Sequence, residues 1–234
     1  MTKRDIAKFL LLRTIGNFLL LFSLYGVFAT FGPAMYFELQ YQLIKVRGTQ
    51  FTIQDPASVT FATQQVEHPD VSLGQILSGD KNQILIPKDT NFSIVIPKIG
   101  ASAKVFPNVD PGDENSFIPI LKEGVAHAKG TVFPGMRGTI YLFAHSTDNF
   151  WDVGRYNAIF YLLKDLNKGD EVTMFFEGKR YEYVVTENRV GEASEVENLT
   201  KSRGLDQKLI MQTCWPPGTT WKRIIVTAVP KDTL

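Results

Sequence analysis

The run TIGNFLLLFSLYGVFATFGPAMYF, residues 14–37, holds no Asp, Glu, Lys or Arg over 24 positions. As a helix rising about 1.5 Å per residue it reaches roughly 36 Å, longer than the roughly 30 Å hydrocarbon core of a bilayer. Buried helices of soluble domains seldom run this far without a charged stripe. Bulky residues persist through Phe28, Phe31, Met35, Tyr36 and Phe37, where a cleaved secretory signal would close on small ones. The segment is therefore expected to be an uncleaved, single-pass transmembrane helix in contact with lipid. Residues 1–13 carry Lys3, Arg4, Lys8 and Arg13 against Asp5, a net +3. The positive-inside rule leaves this basic flank in the cytoplasm and places the chain beyond the span outside the cell membrane.

The whole chain of 234 residues has a formal charge of +1, so the part beyond the flank carries −2. That balance offers no basic face to displace counterions from phosphates, and nucleic acid is not an expected partner. One cysteine allows neither an internal disulfide nor a cysteine-cluster metal site. The length suits one domain with an appendage and a core that needs no disulfide staples.

Residues 38–90 are rich in Gln, Thr, Ser and Asp without a sustained period, and are expected to form an extracellular stalk. Within them VSLGQILSG (71–79) is read as a turn or two of helix, and His68 as a solvated loop residue. From residue 92 the texture changes to short β-type segments separated by Gly, Pro and Asn, which predicts an all-β sandwich or barrel within a domain spanning 91–234. Strands are expected at 92–97, 101–106, 124–128, 139–144, 171–176, 179–190, 207–213 and 221–229. Val172, Met174 and Phe176 alternate on one face and Tyr181, Tyr183 and Val185 on another; EGK at 177–179 joins them as a hairpin. One helix is expected in RYNAIFYLLKDLNKGD, where Ile159, Leu162, Leu163 and Leu166 recur at helical spacing.

Cys214 ends the apolar run LIMQTC and precedes the stiff loop WPPGTT, an accessible edge suited to a nucleophile. Arg223 opens the next strand, and pairing of the two strands would bring both side chains to one mouth. A thiol needs a proton acceptor, for which His127 and His145 are candidates; His145, at the end of TIYLFA, is the better placed. On position alone either histidine also reads as a hydrogen-bonded structural residue. Trp215 and Trp221 either line a groove or cap the barrel. Asp148 either orients His145 or forms a turn. The acidic residues Asp110, Asp113, Glu114, Glu192, Glu195 and Glu197 lack the spacing of an EF-hand loop, so calcium is unsupported and no metal or cofactor is expected.

Three separated segments resemble the sortase family of cell-wall and pilus transpeptidases: IPKIGASAKVF (96–106), GVAHAKGTVFPGMRGTIYLFAHST (124–147) and LIMQTCWPPGTTWKRIIV (209–226). LKDLNKGDEV (163–172) resembles the connector before a later strand. The family usually shows Thr-Leu-x-Thr-Cys; here Ile210, Met211, Gln212, Thr213 and Cys214 stand there, with the last two matching. The loop WPPGTTW matches the form of no single sortase class. The resemblance implies a closed sortase-like barrel of about eight strands with one or two short helices. It implies Cys214 as nucleophile, His145 as general acid and base, and Arg223 as oxyanion stabiliser. The resemblance further puts His127 beside the substrate groove; Thr213, Trp215 and Trp221 are further candidates for contact with the substrate, and the Trp215 N–H is a candidate second oxyanion donor. The implied reaction cleaves an LPxTG-like sorting signal of exported proteins through a thioacyl-enzyme. An amine, from a cell-wall precursor or a pilin lysine, then takes the acyl group. A hydrolytic cysteine peptidase on the same scaffold and a non-catalytic membrane-anchored β-domain are the alternatives.

Overall fold

The computed structural model describes residues 3–53, 82–146, 160–195, 206–217 and 219–233. The first element, α1, runs unbroken from Lys3 to Arg47. Its stretch Lys3–Ala29 is long and apolar enough to cross a membrane, and none of its apolar window is buried in the protein. The helix overlaps the expected span and continues ten residues past its expected end at Phe37.

Ten strands follow: β1 (Gln50–Ile53), β2 (Asn82–Leu85), β3 (Phe92–Ile96), β4 (Ala101–Val109), β5 (Val125–Ala128), β6 (Thr139–Phe143), β7 (Glu171–Phe176), β8 (Lys179–Glu192), β9 (Lys208–Trp215) and β10 (Lys222–Pro230). Eight close into a barrel in the order β10-β8-β7-β3-β4-β5-β6-β9, as the all-β texture predicts. Alternation decides the two faces. Val172, Met174, Tyr183, Val185, Leu209, Met211, Ile224 and Val226 join one core cluster, while Tyr141, Phe143, Ile210 and Ile225 belong to a second. Ile210, which stands where the family has Thr, is an apolar member of that second cluster.

The hairpin expected at residues 177–179 joins β7 to β8 with Phe176 opposite Lys179. Glu177 (φ 49°) and Gly178 (φ 75°) turn the chain with positive φ at both central positions, the geometry that matches strand twist. Several other boundaries move outward, while β3, β5 and β6 are each one residue shorter than expected. β4 continues through Pro107 to Val109 with a register shift against β5, and β9 continues through Trp215 because Lys222 pairs with it. Cys214 therefore lies inside a strand, one residue before its end.

The helix expected in residues 155–170 appears in the described residues as a five-residue 3-10 turn, Tyr161–Asp165. Its carbonyls explain the brevity: Asn188 Nδ2 donates to Leu163 O at 2.8 Å and to Leu166 O at 2.7 Å. Phe160, Leu162, Leu163 and Leu166 are buried in the barrel core, so this turn plugs one end. A helix not expected from the sequence, α2 (Glu114–Leu121), is capped by Asp113, whose carboxylate accepts from Asn115 N–H. α2 covers the second apolar cluster, with Phe117 edge-on to Phe143 at 6.0 Å.

Part of the region read as a stalk folds onto the barrel. Tyr41 and Ile44 of α1 are buried. β1 and β2 pair in parallel, and Phe51, Ile53 and Leu85 pack with Val95 and Phe175 on the barrel flank. His68 and residues 71–79 lie outside the described residues, as do Asp148 and Glu197.

Candidate active site

Strand register alone brings three expected residues together. In the antiparallel pair β9–β10, Cys214 faces Arg223. β6 runs parallel to β9 with Phe143 beside Gln212, and Ala144 N–H donates to Gln212 O at 3.2 Å. Carrying that register two residues on sets His145 beside Cys214, giving His145, Cys214 and Arg223 in one row across neighbouring chains. Thr213 locks the row: its hydroxyl donates to Ala144 O at 3.0 Å, immediately before His145. The next row down holds Phe143, Gln212 and Ile225, and the buried Tyr141 hydroxyl donates to Gln212 Oε1.

Cys214 is half-buried. Burial pushes its thiol above the ordinary range, and the positive charge of Arg223 pulls it back part of the way. Arg223 is itself held by its own chain, Nη1 donating to Thr220 O at 2.9 Å and Lys222 O at 3.0 Å. Its Nε is buried and meets no acceptor among the described residues. The guanidinium thus has a fixed end and a donor to spare, the arrangement that suits charge developing on a substrate oxygen. Beyond Arg223 the row reaches Gly191 on β8, where an added Cβ would come within 2.7 Å of Ile225 Cδ1.

His127 lies elsewhere. It is fully buried on β5, its ring stacked on Phe133 at 4.6 Å. Asn108, at φ 58° in the β4 register shift, points its N–H to Nδ1 at 3.4 Å. Thr131 spends its hydroxyl proton on Ala128 O at 2.7 Å. Nε2–H therefore donates, to Val132 O and Thr131 Oγ1, each at 3.0 Å. Both ring nitrogens are engaged, and burial holds the ring neutral by lowering its pKa. This histidine fixes the 129–133 turn and does not join the row.

The remaining expected residues separate as clearly. Trp215 packs on the core and sits in the ladder opposite Lys222, and the Trp215–Pro216 peptide bond is cis. Trp221 is 74% exposed. Asp113 caps α2, Asp110 pairs with Lys129 at 3.6 Å, and Glu195 binds Arg189 at 2.6 Å, so these acidic side chains have structural partners. Sequence reading missed the Tyr141–Gln212 pair. Its signal was present: a Gln two residues before the cysteine shares the cysteine's side of the strand.

The Sortase domain family model matches residues 94–231. The chain belongs to the sortase family, and its barrel is the Sortase domain. Sortase D of Bacillus subtilis (strain 168) is 25% identical over 134 residues; the match takes in 56% of this chain and 59% of that relative's length. The crystal structure of sortase C-1 from Actinomyces oris superposes with a TM-score of 0.50 at 27% identity, covering 61% of this chain and 75% of that one. Sortase C of Clostridium perfringens, whose structure is described with the C-terminal cell wall sorting motif, gives a TM-score of 0.50 at 24% identity, over 62% and 72% of the two chains.

Proposed function

We propose that this chain is a membrane-anchored cysteine transpeptidase acting on an LPxTG-like sorting signal, with its N-terminus cytoplasmic and its barrel outside. The observation that carries the reading is the row His145, Cys214, Arg223 set by the β6–β9–β10 register. The sorting motif described with the Clostridium perfringens sortase C supports the substrate class.

The Cys214 thiolate attacks the carbonyl carbon of the Thr–Gly bond, and Arg223 donates to the oxygen as charge builds on it. Collapse breaks the C–N bond; His145 gives its proton to the departing Gly amine and leaves a thioester on Cys214. An incoming amine attacks that thioester, loses a proton to His145, and expels the thiolate. An ordinary cysteine near 8.5 and histidine near 6.5 make the thiolate–imidazolium pair unfavourable by about 2.7 kcal/mol. Burial of Cys214 adds to this and Arg223 offsets part. A positioned guanidinium therefore counts most as charge develops on the substrate oxygen. Thr213 serves by holding the chain before His145, and Trp215 by fixing the wall beside the thiol.

Mass spectrometry of the full chain with a library of sorting-signal peptides tests this. A thioacyl adduct on Cys214, absent in Cys214→Ala and converted to a ligated product by added amine, is the expected result. Hydrolysis alone in saturating amine would favour the peptidase, and adduct-free turnover would overturn the nucleophile.

A further inference from the structure

α1 reaches the barrel at its catalytic end. Lys164 Nζ in the 3-10 plug donates to Glu38 Oε2 at 3.0 Å and to Asp165 Oδ2 at 2.6 Å. One turn on, Tyr41 joins the barrel core. The chain then becomes β1, whose Phe51 ring lies within 3.1 Å of where a Gly100 Cβ would stand. It packs beside Val95 and Phe175 on the barrel flank. The plug marks the catalytic end, because Lys164 and Trp215 line one cavity of about 600 Å³ and Trp215 follows Cys214.

Two exposed apolar side chains stand at that end. Trp221 is 74% exposed immediately before β10, and Val190, opposite Ile224, is 49% exposed. Lys222, adjacent to Trp221, has a half-exposed side chain whose Nζ lies 3.5 Å from Glu192 Oε1. Tryptophan favours the membrane interface, and lysine is drawn to anionic headgroups. The uncharged run of α1 extends through Phe37, so Glu38 is the first charged residue after the span.

We propose that α1 and its Lys164 latch hold the catalytic end of the barrel against the membrane surface, with Trp221, Val190 and Lys222 at headgroup level. The inference rests on α1 as a membrane span and is independent of the reaction assigned to Cys214. The mouth then opens toward peptide bonds presented next to the bilayer.

The test places a fluorophore on Trp221→Cys, Lys222→Cys or Lys179→Cys, each in full-length Cys214→Ala protein. The vesicles are equimolar phosphatidylcholine and phosphatidylglycerol with nitroxide-headgroup lipid as quencher. Lys179 opens β8, about 40 Å of strand away from Gly191. Quenching several-fold stronger at 221 and 222 than at 179 is expected; equal quenching at the two ends overturns the orientation. Inserting Gly-Ser-Gly-Ser between Phe37 and Glu38 keeps the latch contacts but frees the barrel from the span. Quenching at 221 should then fall to the level at 179, and unchanged quenching overturns the role given to α1. Thioacyl formation is scored separately on the unlabelled chain. Its failure would remove the transpeptidase reading and leave the quenching pattern to decide the orientation.

Discussion

His127 sits on β5 and His145 just past the end of its antiparallel neighbour β6, yet their surroundings assign them opposite work. His127 pairs with Leu142 in the β5–β6 register, inside the barrel wall, with both ring nitrogens committed and an aromatic stack beneath it. His145 lies just past the end of β6, where the ladder stops and the β6–β9 register, carried two residues on, sets it beside Cys214. A histidine becomes useful for proton transfer where regular pairing ends but a rigid strand still aims it.

Exchanging the two roles by mutation should give opposite signatures. His145→Ala should lower kcat by about 10²- to 10⁴-fold, the usual worth of a positioned acid–base, while Tm stays close to wild type. A large loss of Tm with kcat retained would erase the distinction. His127→Ala should cost about 2–4 kcal/mol in denaturant unfolding, from the lost ring packing and the orphaned Asn108 N–H and Val132 O. Its folded fraction should still form the thioacyl adduct at the wild-type rate.

Arg223→Lys sharpens the catalytic side. If the guanidinium fork holds both backbone carbonyls and the oxyanion, kcat should drop more than about tenfold; an unchanged kcat breaks that role. Thr213→Val removes the strap to Ala144 and should cost about 1 kcal/mol of stability with a modest kcat loss from a looser His145.

The smallest effect is pH dependence. Because burial lowers the folded pKa of His127, the unfolded chain binds the extra proton. The stabilisation is present above about pH 6.5 and is lost as pH falls below it. Urea unfolding of wild type and His127→Phe across pH 5 to 8 should show a shallower acid loss in the variant.

The barrel strands were legible because half-buried strands write a period of two into the sequence, as in Val172, Met174 and Tyr183. Their ends were less so, since Trp215 extends β9 only because Lys222 arrives from elsewhere to pair with it. α2 was hidden by its shortness and by Pro119, although Asp113 at its cap and Phe117, Ile120 and Leu121 on one side were visible. Tyr41 gave no local sign of burial, because the plug residues it clusters with are over a hundred residues away. At the site, Cys214, His145 and Arg223 could be named from their motifs, while the different fates of His127 and His145 needed the register.

Closure of the barrel has a consequence for recognition. With β10 paired to both β8 and β9, the eight strands leave no open edge along which a peptide could add as another strand. The barrel itself therefore offers no borrowed ladder of main-chain hydrogen bonds, which would accept almost any extended sequence. Under the proposed function, selectivity for a short signal at the barrel falls to side chains, a by-product of the topology itself.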